Sequence, residues 1–331
     1  MKRIALFPIL SLGFGAFAQG PIPSIPGVLD GNWLDANVPT KRMIPYEHVR
    51  AADVLWSKRV WRSIDLREKL NHPLYYPLDE VTSYGWIRNN RVYSLWTIIR
   101  EHVMAGDLRV FSPYDPLSFG LSEWDGDQLK YPLDPKHGGN FYTDTDFRNE
   151  MIYYLGYLGP ESDIPIVDEN GEPIMDTLPN GDITYRYSPR DTFWYNSEDI
   201  VEYRLKEDWF FDKERSKMEV RIIAIAPVVY TYDISPNGDR KISGKHELFW
   251  LYFPHCRYIF NNYFTFNERN DAQWMSYDDL FRKRRFNSYI YKESNVYDRS
   301  IDTYTNGLDA IRESEEMTDG IRNIEHDLWS Y

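Results

Sequence analysis

The stretch KMEVRIIAIAPVVYTYD, residues 217–233, carries the strongest secondary-structure signal in the sequence. It is rich in β-branched and aromatic side chains, which pack well on the pleated surface of a sheet, and it predicts the longest strand of the protein. The stretch HELFWLYF, residues 246–253, has the same character and follows after a short loop. We therefore expect the two stretches to pair across that loop in an antiparallel sheet.

The loop between these strands, DISPNGDRKISG at 233–244, resembles the first half of a calcium-binding loop. Five residues have the expected spacing: Asp233, Ser235, Asn237, Gly238 and Asp239. The twelfth position of such a loop supplies a bidentate Glu, and here it is Gly244. Since Asn-Gly is a common hairpin turn, the pattern favours a plain turn, and calcium binding stays an open alternative.

Two helices are predicted ahead of the sheet. Between Tyr46 and Leu70, apolar residues recur at three- and four-residue steps, which is typical of an amphipathic helix: Val49, Ala52, Trp56, Val60 and Ile64. Asn71 and Pro73 would end this helix. A second helix is predicted from about Tyr93 to Met104, with Gly106 as its stop, and DLRVF at 107–111 then reads as a strand.

Together with the rest of the sequence, these elements predict an α+β fold, with an antiparallel sheet flanked by N-terminal and C-terminal helices. Residues 164–187 alternate short apolar runs with two Asn-Gly turns, which predicts hairpins. Ser197 to Asp199 predicts the start of a short helix, and Ser276 with Asp279 predicts a capping box that returns the chain to helix. The domain would span 44–331, and a division into a helical part (44–110) and a sheet-plus-helix part (111–331) stays open.

The N-terminus predicts export. MKRIALFPILSLGFGAFAQG has two basic residues, an apolar run and a small-x-small ending, so residues 1–18 are expected to be a signal peptide cut before Gln19. Residues 19–43 are rich in proline and predict an extended arm. The one cysteine, Cys256, lies far from the cut, so we expect no acylated N-terminal cysteine and no internal disulfide. A net charge of −13 disfavours duplex nucleic acid as a partner.

No motif for catalysis, cofactor or metal is complete. GDRKISGK (238–245) has the wrong glycine spacing for a phosphate loop, and His255 beside Cys256 predicts a packed thiol rather than a nucleophile. Acidic residues in the Pro- and Gly-rich region could supply a carboxylate pair: Glu123, Asp125, Asp127, Asp144 and Asp146. A secreted carbohydrate-binding protein or glycoside hydrolase is therefore the alternative function, although turn composition favours solvated loops.

Three longer stretches carry a family resemblance: IPYEHVRAADVLWSKRVWRSIDLREKLNHPLYYP (44–77), DDLFRKRRFNSYIYKESNVYDRSI (278–301) and EHDLWSY (325–331). They resemble the GldN/PorN family of the type IX secretion and gliding-motility machinery of Bacteroidota. The resemblance implies a non-enzymatic subunit of a periplasmic ring. It also implies a GldK/PorK-type lipoprotein at the outer membrane as ring partner, contact with the periplasmic part of GldM/PorM, and neither catalytic residues nor cofactor.

The sequence offers two candidate contact surfaces. On the predicted 46–70 helix, Val54 and Trp61 would lie opposite the apolar side, where either a partner or a neighbouring loop of the same chain would cover them. The second surface is the basic run at 282–285 with two nearby tyrosines: Arg282, Lys283, Arg284, Arg285, Tyr289 and Tyr291. Arg and Tyr are enriched in interfaces, so we expect this run to meet an acidic protein. Solvation, pairing with the acidic run ESEEMTD (313–319) and binding of lipid headgroups are the alternatives.

Overall fold

In the computed structural model, the described residues are 42–82, 85–87, 92–114, 123–159, 165–168, 173–177, 183–187, 190–234, 240–267, 270 and 273–328. The predicted signal peptide, nearly all of the proline-rich arm and the three Asn-Gly turns lie outside them. Residues 41–331 form one compact unit.

The strands within the described residues are β1 (Val54–Asp65), β2 (Glu80–Thr82), β3 (Gly85–Ile87), β4 (Val110–Phe111), β5 (Pro132–Leu133), β6 (Gly156–Leu158), β7 (Met175–Thr177), β8 (Ile183–Tyr185), β9 (Thr192–Trp194), β10 (Ile200–Asp212), β11 (Lys217–Ile234), β12 (Arg240–Glu247), β13 (Trp250–Tyr252), β14 (Phe264–Thr265), β15 (Met275–Ser276) and β16 (Tyr289–Glu293). The α-helices there are α1 (His72–Tyr75), α2 (Leu95–Ala105), α3 (Thr145–Leu155), α4 (Phe253–Phe260), α5 (Tyr277–Arg282) and α6 (Leu308–Leu328). Short 3₁₀ turns occur at Ala51–Asp53, Lys69–Asn71, Glu123–Gln128, Lys136–Gly138 and Ile301–Thr303.

The main sheet is antiparallel, and eight of the described strands form it in the order β16-β1-β10-β11-β13-β4-β5, with β12 also paired to β11. The predicted strand at 217–233 is confirmed as β11. The predicted pairing of 246–253 is confirmed in part, because Val228 pairs with Glu247 and Ala224 with Tyr252. The chain then turns into α4 at Phe253. The α+β class is therefore confirmed.

The predicted helix over 46–70 is wrong. Residues Val54–Asp65 form β1, which pairs along its length with β10 and, at Val60 to Ser63, with β16. Trp56, Val60 and Ile64 are four residues apart, and an even spacing also puts residues on one face of a strand. Two neighbouring strands satisfy the backbone donors and acceptors of β1, so pairing outweighs the helical pattern.

Other predicted elements have mixed outcomes. The helix near 93–104 is confirmed as α2, with the Ser94 side chain accepting from Thr97 N and Gly106 in the left-handed region at φ 84°. The short helix at 197–199 is wrong, because those residues form a turn before β10. The Ser276 cap is confirmed, since its side chain accepts from Asp279 N, but α5 is short and β16 intervenes before α6.

The core lies on one face of the main sheet. Ile64, Leu205 and Ile225 of the sheet belong to one buried cluster with side chains of the helices: Trp96 and Ile99 of α2, Met151 of α3, Phe253 and Phe260 of α4, and Phe281 of α5. Each such side chain contributes roughly 1.5–3 kcal/mol of burial free energy. Helix α6 packs on the same sheet at its β16 edge, where Ile321 meets Val60 and Ile290.

The chain ahead of β1 is held against α4. The Arg257 guanidinium lies 4.2 Å from the centre of the Tyr46 ring, and that of Arg221 lies 5.3 Å away. Arg257 Nη2 donates to Ile44 O at 2.7 Å, while its Nε pairs with Asp278 at 2.7 Å. Burial raises the pKa of the Tyr46 hydroxyl. Residues 44–46 are thus joined to α4 and β11 by one hydrogen bond and two cation–π contacts, and the buried Arg257–Asp278 ion pair holds the Arg257 guanidinium in place.

Candidate interaction surfaces

Trp61, expected on an exposed helix face, is only 6% exposed. In β1 it points to the opposite side of the sheet from Val60, and it packs against Ala224 and Trp250. Its indole Nε1 donates to Asp127 Oδ2 at 2.8 Å. The placement of Trp61 on a protein-binding surface is therefore wrong for the folded chain. Val54 begins β1 and is half-buried.

Two lysines lie on the Trp61 ring. The ammonium of Lys292 lies 4.6 Å from the ring centre and that of Lys206 lies 5.7 Å away. Lys206 Nζ also donates to Asp127 O at 2.7 Å and lies 3.5 Å from its carboxylate. Burial lowers the pKa of Lys206, and the nearby Asp127 carboxylate opposes that shift. The bonds of Trp61 and Lys206 to Asp127 therefore hold the 3₁₀ turn at Glu123–Gln128 against the sheet.

The carboxylates considered for glycoside chemistry serve the fold where the structure describes them. Asp127 accepts from Trp61, as above. Asp144 caps α3, accepting from Asp146 N at 3.0 Å and Phe147 N at 3.2 Å. Asp146 pairs with Lys136 Nζ at 2.6 Å. The side chains of Glu123 and Asp125 lie outside the described residues. Each of these three described acids therefore has a partner within the chain.

The side chain of Arg284 does not lie on the predicted basic surface but points towards β10. Its Nη1 and Nη2 donate to the two carboxylate oxygens of Glu207 at 2.8 and 3.2 Å. Glu207 is fully buried and also accepts from Trp209 Nε1 at 3.0 Å. The backbone of Arg284 is left-handed, φ 49°, which lets the chain after α5 bring this side chain back to β10. The partner of Arg284 is therefore Glu207 and not the 313–319 run.

A second arginine shares Glu207. Arg62 Nε lies 3.4 Å from Glu207 Oε2, and Arg62 Nη1 makes long hydrogen bonds to Ser288 at 3.3 and 3.4 Å. Burial lowers the pKa of Arg62, and the Glu207 carboxylate opposes that shift. Both guanidiniums lie near the Trp209 ring, Arg62 at 5.6 Å and Arg284 at 5.2 Å. The Trp209 ring and the Glu207 carboxylate together offset the cost of one buried and one half-buried cation.

The two tyrosines of β16 differ. Tyr289 is 43% exposed, so it is available at the surface. Tyr291 lies under the Arg204 guanidinium, 5.0 Å from the ring centre, and burial raises its pKa well above the ordinary value. Arg204 in turn donates to Glu247 at 2.7 Å, on a sheet face where charges of opposite sign alternate. Tyr291 therefore packs within the chain.

Three cations of the run do remain at the surface. Arg282, Lys283 and Arg285 are exposed at the end of α5. Among the described residues, the side chains of Arg282 and Lys283 make no hydrogen bond or ion pair, and Arg285 Nη1 approaches only Met275 Sδ, at 3.5 Å. We call these three residues the basic patch. They are the part of the predicted contact surface that the fold does not use.

A further surface, which the sequence analysis treated only as hairpins, is formed by residues 165–187. Three short segments are joined by the bonds Ile166 N to Arg186 O, Ile174 N to Ile166 O and Arg186 N to Ile174 O, at 2.8–2.9 Å. The predicted hairpin pairing is confirmed, and Pro165 bridges to Tyr187 at the base. No side chain described in this segment is buried. Its short apolar runs and many acids are visible in the sequence, but the sequence does not show which of its apolar side chains stay exposed. We call residues 165–187 the acidic lobe.

Thiol and metal chemistry find no support in the described part of the chain. Cys256 is free and buried in α4, where burial raises the pKa of its thiol, as expected for a packed cysteine. His255 precedes it on a helix rather than at a strand end, and its ring meets the edge of Tyr252 at 4.9 Å. Residues covered by the structure include no cluster of three His, Cys, Asp or Glu able to hold a metal. None of the helices it describes is long and apolar enough to cross a membrane.

A sequence profile described as "Gliding motility associated protein GldN" matches residues 49–330. The chain belongs to the GldN family. The match runs from just before β1 to beyond the end of α6, so it includes the acidic lobe and the basic patch. The resemblance of the three longer stretches is thereby confirmed, and the GldN family associates the chain with gliding motility. A search of curated proteins returned no match.

Proposed function

We propose that the chain is a non-enzymatic structural subunit of the type IX secretion and gliding-motility machinery. It forms a periplasmic ring with a GldK/PorK-type lipoprotein and contacts a GldM/PorM-type periplasmic domain. The observation that carries this proposal is the GldN profile along residues 49–330, which covers nearly the whole described fold. Partners and ring formation come from the family resemblance.

The fold supports a role in assembly. Three described acids that could have served hydrolysis have partners within the chain. Asp127 accepts from Trp61, Asp144 caps α3 and Asp146 pairs with Lys136. Two sets of described side chains are exposed instead, the cations of the basic patch and the apolar side chains of the acidic lobe. Clusters of exposed charged or apolar side chains are typical of sites that contact another macromolecule.

The periplasmic location rests on the predicted signal peptide. We expect the mature chain to begin at Gln19 and to associate with the outer membrane only through its lipoprotein partner. Mass spectrometry of the purified N-terminus, together with fractionation of cells into periplasm, inner membrane and outer membrane, tests this expectation. An uncut or lipidated N-terminus would contradict it.

Co-expression with the lipoprotein tests the assembly itself. The expected result is a large complex of defined size by light scattering, with rings in electron micrographs. A chain that stays monomeric in the presence of the lipoprotein would overturn the proposal. Incubation of the same preparation with a panel of polysaccharides serves as a control, because release of reducing sugar would favour the hydrolase alternative.

A further inference from the structure

We propose that a groove between β16 and α6 binds an extended, basic segment of another protein, which adds as a strand to the free edge of β16. The groove is lined by the end of β1, the first half of β16, the 3₁₀ turn at Ile301–Thr303 and one side of α6, and its volume is about 830 Å³. It is a surface additional to the lipoprotein and GldM/PorM-type contacts of the proposed function, and its test is independent of them.

Strand β16 is the last strand of the main sheet, and its outer edge is open beside the groove. On one side it pairs with β1. On the other side, the described residues supply one bridge, between Lys292 and Ser300. An open strand edge presents backbone N–H and C=O groups to which an extended segment can pair. The groove therefore accepts a segment by strand addition, a common mode of peptide recognition.

The far wall of the groove, α6, is fixed at two points. Its Ile321 packs against Val60 and Ile290 at the sheet. Nearer the start of the helix, Glu313 Oε1 accepts from the hydroxyl of Tyr304 at 3.1 Å. The groove is therefore present before a segment binds, which lowers the entropic cost of binding.

The groove has apolar side chains that a bound segment would cover. Ile290 and Ile301 line it and are buried, whereas Ile311 of α6 and Tyr289 of β16 are 58% and 43% exposed. The side chains of an added strand would alternate between two faces, and one set would meet α6 at Ile311. Apolar residues at alternate positions of the segment would thus gain roughly 25 cal/mol per Å² of apolar surface removed from water.

The charge of the groove selects a basic segment. Both of its arginines are already neutralised, since Arg67 pairs with Asp65 at 2.5 Å and Arg322 with Asp319 at 2.9 Å. Three more carboxylates line the groove, and none of them forms an ion pair with a described residue: Glu68, Asp302 and Glu315. Opposite charges across an interface steer association and fix register. A segment whose polar positions are Lys or Arg therefore complements the groove.

The distribution of charge argues against a second copy as the occupant. The chain carries a net charge of −13, so two copies repel each other as wholes. The basic run at 282–285 lies at the end of α5 and not in a strand. The occupant is therefore assigned to another protein, one that carries an extended stretch of alternating basic and apolar residues.

Peptide binding to the full mature chain tests the groove. The probe is the fluorescently labelled peptide Lys-Val-Lys-Ile-Lys-Val with blocked ends, and fluorescence polarisation measures its binding. Two control peptides are Glu-Val-Glu-Ile-Glu-Val and the probe sequence N-methylated at every residue, which cannot donate backbone hydrogen bonds. We expect both controls to bind at least about 10-fold more weakly than the probe, because each lacks one of the two interactions.

Charge reversal in the groove locates the site. Asp302→Lys with Glu315→Lys should weaken binding of the probe at least about 10-fold and strengthen binding of the glutamate peptide. Glu316→Lys with Asp327→Lys is the matched control, since both side chains are exposed on α6 outside the groove and the net charge changes equally. Solvent screens distant surface charges, so the control should bind the probe within about 2-fold of the wild type.

Several results would overturn the inference. These are equal binding of the N-methylated peptide, equal loss of binding in the two variants, or photo-cross-links from a benzophenone-bearing probe that all lie outside 287–291 and 307–322. A sedimentation coefficient altered in the groove variant without peptide would assign the groove to a second copy instead. The peptide comparison uses the wild type, so it decides even where a variant fails to fold. No step needs the lipoprotein, so absence of binding overturns this inference and leaves the proposed function untouched.

Discussion

Charge lies in two contrasting settings in this molecule, around Glu207 and in the acidic lobe. At Glu207, a fully buried carboxylate holds Arg62 and Arg284 within 3.4 Å and joins β1, β10 and the chain after α5. In the lobe, none of the described side chains is buried. The first region uses charge inside the fold, whereas the second keeps its described side chains at the surface. Arg282 and Arg284, two residues apart, fall on opposite sides of this division.

The largest expected effect is at Arg284. Arg284→Glu removes the bidentate partner of Glu207 and places a second carboxylate beside it, so we expect the free energy of unfolding to fall by about 3–5 kcal/mol or more. Urea denaturation followed by tryptophan fluorescence measures the change. Arg282→Glu is the matched control, and at an exposed site it should change stability by about 0.5 kcal/mol or less. Equal effects at the two positions would show that the inward turn of Arg284 is wrong.

Trp61 and Tyr185 allow the same test, of a buried against an exposed position, with aromatic side chains. Trp61→Ala removes a buried indole and its bond to Asp127, and we expect a loss of about 3–5 kcal/mol of unfolding free energy. Tyr185→Ala, in the lobe, should change the stability of the unassembled chain by about 0.5 kcal/mol or less and instead weaken assembly. If Trp61→Ala left the melting temperature unchanged, the tryptophan would belong to the surface after all.

Excision of the lobe should affect assembly and hardly affect folding. Pro165 and Tyr187 are antiparallel bridge partners, so their Cα atoms lie about 5 Å apart and a Gly-Gly link can replace residues 166–186. We expect the melting temperature of the unassembled chain to change by no more than about 4 °C, because the lobe buries none of its described side chains. Sedimentation velocity with the lipoprotein should show the loss of large complexes. Unfolding of the shortened chain would show that the lobe supports the sheet.

The smallest expected effect concerns His246, whose Nδ1 lies 2.8 Å from Thr231 Oγ1 at the β11–β12 pairing. Burial lowers its pKa from the ordinary value of 6.5. The unfolded chain therefore binds this proton at higher pH than the folded chain, and the stability contributed by the neutral ring is lost as pH falls below about 6.5. His246→Gln should flatten that part of the stability curve relative to the wild type. Identical slopes from pH 7 to 5 would contradict the prediction.

Local chemistry predicted some elements well. The β-branched run at 217–233 and the Gly106 stop each encode their structure within a few residues, and β11 and α2 form as expected. The spacing of Trp56, Val60 and Ile64 could not distinguish a helix from a strand, because residues four apart lie on one face in either structure. Only the pairing of β1 with β10, some 140–160 residues away, decides between them.

The contact surfaces were harder to predict for a similar reason. The run at 282–285 shows its charge in the sequence, yet the left-handed turn at Arg284 and the distant Glu207 decide which of its cations pairs within the fold. Trp61 is covered by Trp250 and Ala224, residues far along the chain. Sequence proximity thus identified the region of the basic patch but could not assign its individual side chains. The sequence alone could not show that the apolar side chains of the lobe are exposed, because that depends on which apolar residues pack in the core against the main sheet.

The anchorage of Tyr46 has a mechanical consequence. Tension applied ahead of residue 42 would reach Ile44 and Tyr46 before it reaches β1 at Val54. There it meets the Arg257 guanidinium, which is tied to Asp278 at the start of α5. The force therefore passes into the helical layer and is shared by the core, instead of peeling β1 from its neighbours one hydrogen bond at a time.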